Sequence, residues 1–254
     1  MRPDNTAFWQ NTCRNLELID LASAAKKVVS CPMRTHEFTL NEARLTALPS
    51  GALWWAERGL LCVSDLHFGK SGRIARRNGS LLPPYENADT LARLEQDILT
   101  RNPQTIICLG DSFDDLAAFE EMDEGDHFWL TCLIAGRKWI WIEGNHDPGP
   151  VDIGGTHLVS HSEGGLTFRH IADPDKSFEI SGHFHPKGRI NAKGRSVSRP
   201  CFLVDEHRAI MPAYGSYTGG LRSDNEVLCE LMAIDAIAIL TGKSAQPIPM
   251  PRKL

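Results

Sequence analysis

The sequence has no pair of cysteines at C-x-x-C spacing. Its seven cysteines, Cys13, Cys31, Cys62, Cys108, Cys132, Cys201 and Cys229, lie far apart, which argues against a zinc knuckle or a dithiol redox motif. Most stand in apolar runs and read as small core residues, so a reducing, cytoplasmic location is expected. Long apolar runs are missing as well. "ALWW" and "LCELMAIDAIAIL" fall short of a membrane span, and nothing resembles a secretory signal, so no membrane partner is expected. Positive charge is not in excess. The net charge of −5 argues against a surface coated for non-specific duplex binding, although a local basic groove stays open. Tyrosine is scarce, and Tyr85, Tyr214 and Tyr217 are the three rings of that type that could stack on unpaired bases. No glycine-rich phosphate loop, Ser-His-Asp set, internal repeat or low-complexity tract occurs.

What is present is an ordinary globular composition, 42% hydrophobic and 23% charged over 254 residues, enough for one large domain. Residues 1–32 differ from the rest. "RNLELIDLASAAKKVV" allows an amphipathic turn or two before Pro32 breaks it. This stretch reads as a peripheral extension, or the native start is Met33, and residues 33–254 read as a single domain.

Within that domain strands and helices alternate. "GALWWAE" and "GLLCVSD" are predicted strands joined by a hairpin-like turn at Arg58-Gly59. "ENADTLARLEQDILTR" carries Leu91, Leu94 and Ile98 at helical spacing, and Pro103 ends it. "TIICLGD" and "KWIWIEGNHD" are buried strands. Between them "DLAAFEEMDEGDHFWLTCLIAG" reads as helical on both sides of Gly125. This βαβαβ order predicts a mostly parallel sheet with right-handed crossovers. The second half turns to short strands, "THLVSH", "GLTFRH", "SFEISGHFH", "CFLVDEH" and "AIMPAYG", and helix is scarce until about residue 226. The expected architecture is α/β: two packed sheets flanked by helices.

Polar residues gather where these strands end. The first motif is Asp65-Leu66-His67, the second Gly110-Asp111-Ser112-Phe113-Asp114-Asp115, and the third Gly144-Asn145-His146-Asp147. Two later strands end in His170 and in Gly182-His183-Phe184-His185. Each has a plainer reading. Asp65 suits a turn or helix cap, "GD" a simple turn, "GNHD" a polar loop, and His183 and His185 the two faces of a surface strand. Together they suggest one site, because ligands of open α/β sheets bind beyond the carboxyl ends of the strands. Carboxylates, an amide oxygen and imidazoles suit Mn²⁺, Fe²⁺ or Zn²⁺. No thiolate joins them, which disfavours a structural zinc. The seven donors Asp65, His67, Asp111, Asn145, His170, His183 and His185 exceed what one ion needs. Two ions roughly 3.5–4 Å apart would use them all.

At these residues the sequence resembles the calcineurin-like metallophosphoesterase superfamily, whose pattern runs D-x-H, G-D-x-x-D, G-N-H-D/E, H and G-H-x-H. The resemblance covers roughly residues 50 to 215. "SDLHFGKSGRIARRNG", "RHIADP", "EISGHFHPKGRI" and "RPCFLVDEHRAIMPAYGSYTGGL" are further similar to the ligase-associated DNA damage response phosphoesterases, the PdeM group. The resemblance implies a four-layer α/β/β/α sandwich of two mixed sheets, with a dinuclear metal site at the strand ends. Asp65, His67 and His185 would hold one ion and Asn145, His170 and His183 the other, with Asp111 bridging. Mn²⁺ would be the preferred metal, and Fe²⁺ or Zn²⁺ the alternatives. His146 would contact the phosphate, and Asp147 would orient it. His161 competes with His170 for the lone-histidine place, which the context "GLTFRH" favours giving to His170. Asp115 departs from relatives that carry Arg or another residue there, which touches the phosphate-side contacts but no metal position.

The activity implied is hydrolysis of a phosphodiester by a hydroxide shared between two ions. The substrate would be DNA, cut by an endonuclease of DNA repair, with a DNA ligase and a helicase as pathway partners. The competing readings are a phosphohydrolase of a small nucleotide or lipid-linked diphosphate, and a non-catalytic scaffold. Lys70, Arg73, Arg76 and Arg77 follow the first motif, and Lys187, Arg189, Lys193, Arg195 and Arg199 follow the last. They are either solvated loop charges or a positive funnel for a phosphodiester. Lys70, Arg73 and Arg76 are the expected substrate contacts.

Overall fold

Four consecutive apolar residues, Leu60–Val63, form strand β4 with every side chain buried, and this requires cover on both faces of the sheet. The computed structural model, which describes residues 34–78, 85–147, 149, 153–192 and 195–252, supplies that cover. Leu60 and Cys62 point to one apolar cluster with Ile107, Leu109, Ile140 and Ile142, where they meet Phe168, Ile180, Phe202 and Ile239 of a second sheet. Leu61 and Val63 point the other way and pack with Leu91, Leu94, Ile98, Leu130 and Leu133 of helices. A third cluster seals the far side of the second sheet, where Leu203, Ile210 and Leu240 meet Leu228 and Met232. The layers are therefore helix, sheet, sheet, helix. The reading of residues 1–32 as a peripheral extension lies outside the described residues.

The first sheet has seven strands in the order of the chain: β1 (His36–Leu40), β2 (Ala43–Ala47), β3 (Leu53–Trp55), β4, β5 (Thr105–Leu109), β6 (Lys138–Ile142) and β7 (Thr156–Leu158). The ladders β1 to β4 are antiparallel, and β4 to β7 are parallel. The sheet is thus mixed, because the first strands return through tight turns and only the later ones through crossovers. Gly59, at φ +55°, makes the turn between β3 and β4 after a single 3₁₀ turn, Ala56–Arg58.

The crossovers from β4 to β5 and from β5 to β6 are helical. Helix α1 spans Lys70–Asn78 and α2 Glu86–Arg101. In α2 Leu91, Leu94 and Ile98 face the sheet at i, i+3 and i+7. Asn102, left-handed at φ 47°, closes that helix one residue before Pro103. The acidic stretch after β5 forms α3 (Leu116–Glu120) and α4 (Glu124–Ile134). The break falls before Gly125, not at it. Asp123 caps α4 by accepting the Gly125 N–H at 2.8 Å, and a side-chain cap of that kind outweighs the poor propensity of one glycine in the first turn.

"THLVSH" is two strands rather than one. β7 ends at Leu158 in the first sheet, and β8 (Ser160–Glu163) begins in the second. The second sheet then builds as β15-β14-β12-β13-β10-β9-β8, with β11 paired to β12. Its members are β9 (Leu166–Arg169), β10 (Glu179–Ser181), β11 (Lys187–Ala192), β12 (Arg195–Val204), β13 (Arg208–Ile210), β14 (Ile237–Leu240) and β15 (Gln246–Pro249). The C-terminal apolar run is split between the short helix α5 (Glu226–Leu231) and β14, since "AIAIL" is bound antiparallel to β12. No described helix is long and apolar enough to cross a membrane.

Candidate metal centre

The adjacent parallel strands β4, β5 and β6 end just before Asp65, Asp111 and Asn145 respectively. In the facing sheet, parallel neighbours β9 and β10 end just before His170 and His183. Five strand ends therefore meet at one edge of the sandwich. The chain leaves them abruptly: Asp65, His67, Asp111, His183 and His185 all have positive φ, between 45° and 68°. Backbone in that region costs a non-glycine residue of order 1–3 kcal/mol and persists where surrounding structure holds it. Gly110, at φ +74°, admits no side chain, because a Cβ there would stand 2.5 Å from His170 Nδ1.

Two donor groups result, Asp65 with His67 and His185, and Asp111 with His170 and His183; within each, the donor atoms lie within 4.8 Å of one another. In the first, His185 Nε2 is 3.0 Å from Asp65 Oδ1 and 3.4 Å from His67 Nε2. In the second, His170 Nε2 is 3.4 Å from Asp111 Oδ2, 2.9 Å from Asn145 Oδ1 and 3.2 Å from His183 Nδ1. His170 Nδ1 sits 2.8 Å from Leu109 O. A carbonyl only accepts, so the proton is on Nδ1, and the Nε2 lone pair is aimed at the other donors. Imidazole lone pairs converging beside buried carboxylates repel unless a cation lies between them, so these residues fit divalent metal ions. Burial alone would push the His170 pKa down, but the Asp111 and Asp65 carboxylates outweigh it and raise it to about 8, so without a cation between the donors Nε2 itself takes up a proton. Burial would likewise raise Asp111, yet His170 and the His146 N–H hold its carboxyl well below the usual range.

Asp65 Oδ1 also approaches His170 Nδ1, at 3.9 Å, so Asp65 touches both groups. Asp111, the expected bridge, meets the second group through Oδ2 and accepts the His146 N–H through Oδ1 at 2.9 Å. His161 is elsewhere, on β8, with its Nε2 3.2 Å from Glu163. His170, not His161, stands among the clustered donors.

His146 stands edge-on to His67, ring centroids 5.4 Å apart, with Nδ1 2.9 Å from Asp114 O. Its Nε2 is thereby the ring nitrogen that does not face that carbonyl. Asp147 has a different place from the one expected. Its Oδ1 accepts the N–H of Asp111 at 3.0 Å and of Gly144 at 3.1 Å, and its Oδ2 those of Ser112 at 2.7 Å and Phe113 at 3.2 Å. Asp147 clamps the loop that carries Asp111, and the ring of His146 is oriented by Asp114 O instead. Burial pushes the Asp147 carboxyl up to about 6, against the pull of those N–H groups.

The sequence reading gave Asp114 no role, although the G-D-x-x-D spacing flagged it. Asp114 Oδ1 lies 2.9 Å from His67 Nδ1, which turns His67 Nε2 toward the first group. Arg73 is hydrogen-bonded to the same carboxylate, and Lys70 Nζ is 3.8 Å away. Burial would raise Asp114, but His67, Arg73 and Lys70 hold it at about 2. Two of the expected substrate contacts, Lys70 and Arg73, are thus turned onto Asp114; the side chains of Arg76, Arg77 and Arg195, and Lys193, lie outside the described residues. Lys187 Nζ donates to Thr218 O at 3.1 Å, and Arg189 to Ser196 Oγ. Tyr214 is fully buried, whereas Tyr85 and Tyr217 are 69% and 45% exposed.

Comparison with solved structures finds a similar fold in a nuclease, MPE, of Pseudomonas putida: the similarity covers 85% of this chain and 100% of that one, with a TM-score of 0.68 and 23% identity. At that identity the likeness is one of fold. No curated protein matches. Residues 59–217, which carry every strand-end motif described above, match the calcineurin-like phosphoesterase family, and the chain belongs to it.

Proposed function

We propose that this protein is a metal-dependent phosphodiesterase that acts as a nuclease on DNA. The observation that carries the reading is the pair of Asp/His groups at one sheet edge with His146 Nε2 beside them. Asp65, His67 and His185 would hold one divalent ion, and Asp111, Asn145, His170 and His183 the other; Mn²⁺ suits this mixture of oxygen and imidazole donors. Bound there, such ions supply positive charge for the phosphoryl oxygens and lower the pKa of water toward neutrality.

The chain's own residues do the rest. His146 is fixed through Nδ1 on Asp114 O and through its N–H on Asp111, so its Nε2 can hold a proton for the departing oxygen. Asp114 keeps His67 in one tautomer. Asp147 keeps Asp111 in place. Asn145 is exposed while Asp65, Asp111 and His170 are buried, so substrate approaches from the Asn145–His146 side. The DNA-repair setting, with a ligase and a helicase acting in the same pathway, is supported by the resemblance of the motif segments to the ligase-associated group. The likeness in fold to a protein named a nuclease supports a polynucleotide substrate. One observation favours a small nucleotide instead: Lys70 and Arg73 are both turned onto the Asp114 carboxylate rather than spread along a groove.

The deciding experiment uses metal-stripped protein reloaded with Mn²⁺, Mg²⁺, Zn²⁺ or Fe²⁺, assayed on bis-p-nitrophenyl phosphate, p-nitrophenyl phosphate, and single- and double-stranded DNA. Activity on the diester and on DNA is expected, reduced in His146→Ala by about 10²–10⁴-fold. Diesterase activity without DNA cleavage selects the small-nucleotide reading, and full activity in His146→Ala removes the role given to that residue.

A further inference from the structure

The segment Tyr214–Leu221 runs directly behind the metal centre. The Tyr214 N–H donates to Ser64 O at 2.7 Å, that of Gly215 to Asp65 O at 3.1 Å, and that of Leu221 to Phe184 O at 3.0 Å. Between these anchors Tyr217 is 45% exposed and held at φ +57°, an unfavourable conformation for a bulky residue. A cleft of about 480 Å³ opens beside this loop, and its walls include Pro49, Arg93, Arg199, Pro200, Tyr217 and Thr241.

Topology puts that cleft on the edge of the sandwich that bears the metal centre. β3 is antiparallel to both β2 and β4, so β2 runs with β4, and Pro49 follows its end two strands away from Asp65. That is a lateral step of roughly 10 Å. In the other sheet β10 is parallel to β13, β13 antiparallel to β12, and β12 antiparallel to β14. Pro200, one residue before the segment Cys201–Val204 that pairs with β14, and Thr241, just past the end of β14, therefore stand at the edge where β10 delivers His183.

The lining has a definite chemistry. Tyr217 and two proline rings offer flat apolar faces. Arg93 is immobilised by Tyr214 O at 2.7 Å and Ser216 Oγ at 3.1 Å and forms a fixed wall. Arg199 is exposed and has no carboxylate partner among the described residues, so its guanidinium is free for an anion. A ring to stack, an unpaired cation and hydroxyls beside a phosphodiesterase centre match one ligand class.

We propose that this cleft is a nucleotide subsite: Tyr217 stacks on an unpaired base, and Arg199 contacts the phosphate of a single strand whose scissile bond lies at the metal centre. The roughly 10 Å offset corresponds to about three nucleotides at duplex spacing. Bases stacked within an intact duplex have no free face, so the subsite selects single-stranded or frayed substrate. This inference rests on the polynucleotide reading above, and its test separates the two.

A single-stranded oligonucleotide carrying 2-aminopurine is titrated into metal-free protein, and its fluorescence and affinity are read. Wild type is expected to quench the probe. Tyr217→Ala should weaken binding by about 5- to 150-fold, the effect of losing one stacked base, while Tyr217→Phe keeps the affinity. Arg199→Ala should reduce the slope of log affinity against log salt by about 0.7, a change that loss of packing would not produce. All three variants should melt like wild type and turn over bis-p-nitrophenyl phosphate at the wild-type rate when reloaded with Mn²⁺. Equal binding by Tyr217→Ala and wild type, or no quenching by wild type, overturns the subsite. A wild type that quenches the probe yet leaves DNA uncut with every metal overturns the nuclease reading and upholds the subsite.

Discussion

Asp147→Asn separates two roles that the same carboxylate could have. The side chain accepts four backbone N–H groups, two on each oxygen. Asparagine keeps one oxygen and presents an amide donor where the other stood, so two buried N–H groups lose their acceptor. Each such loss costs about 1–3 kcal/mol, for a total of roughly 2–6 kcal/mol. That is below the 5–15 kcal/mol typical of a folded domain, so the variant should fold, with a Tm lowered by about 5–20 °C. The loop it releases carries Asp111, so divalent-metal affinity should fall about 10–100-fold, the usual penalty for loosening the support of a ligand. Calorimetric titration with Mn²⁺ and thermal melting of the metal-free protein read the two effects. If Asp147 served to orient His146 instead, metal affinity and Tm would stay at wild-type values and only kcat and its pH profile would move. That result refutes the clamp.

Asp114→Ala should lower Mn²⁺ affinity by about 10–100-fold by freeing His67 to rotate; wild-type affinity by the same titration would show that His67 needs no partner. Arg208 Nη1 lies 3.0 Å from the buried Glu179 and donates to the carbonyls of Asp173 and Lys176. Arg208→Met leaves that carboxylate buried and should cost about 3–5 kcal/mol in urea unfolding, and a change under 1 kcal/mol contradicts the assignment. Burial raises the Asp97 carboxyl above its ordinary 3.8, against the hydrogen bonds that Ser50 and Tyr214 donate to it. A raised folded-state pKa means that this group's contribution is whole below pH 3.8 and is lost as pH rises through the folded value. Asp97→Asn should therefore gain on wild type in Tm as pH rises from 3.8, and parallel Tm curves across that range would count against it.

The centre was legible because its donors follow apolar strands directly. A run such as "LLCV" or "TIICL" fixes a strand by its own composition, and the residue after it must lie at the sheet edge whatever the rest of the chain does. Helix α2 was legible for a similar reason, since Leu91, Leu94 and Ile98 mark one face. The parts that were not legible depend on partners distant in sequence. Nothing local distinguishes Asp147 as an acceptor for Ser112 from Asp147 as a neighbour of His146. Tyr214 could be counted among exposed rings only until Asp97, 117 residues away, was seen to accept its hydroxyl at 2.9 Å. "THLVSH" alternates like one strand, yet its two halves pair in different sheets, a choice set by β6 and β9 rather than by the segment itself. The "AIAIL" run is helical or extended by composition, and β12 decides.

Each of the two donor groups takes residues from both layers: Asp65 and His67 with His185 across the interface, Asp111 with His170 and His183. An ion seated in either group is therefore a rivet through the sandwich, and its affinity is also adhesion between the sheets. Occupancy at a hundred times the dissociation constant would add about 2.7 kcal/mol of stability. Chelation would silence the enzyme and slacken the join between its two halves in the same step.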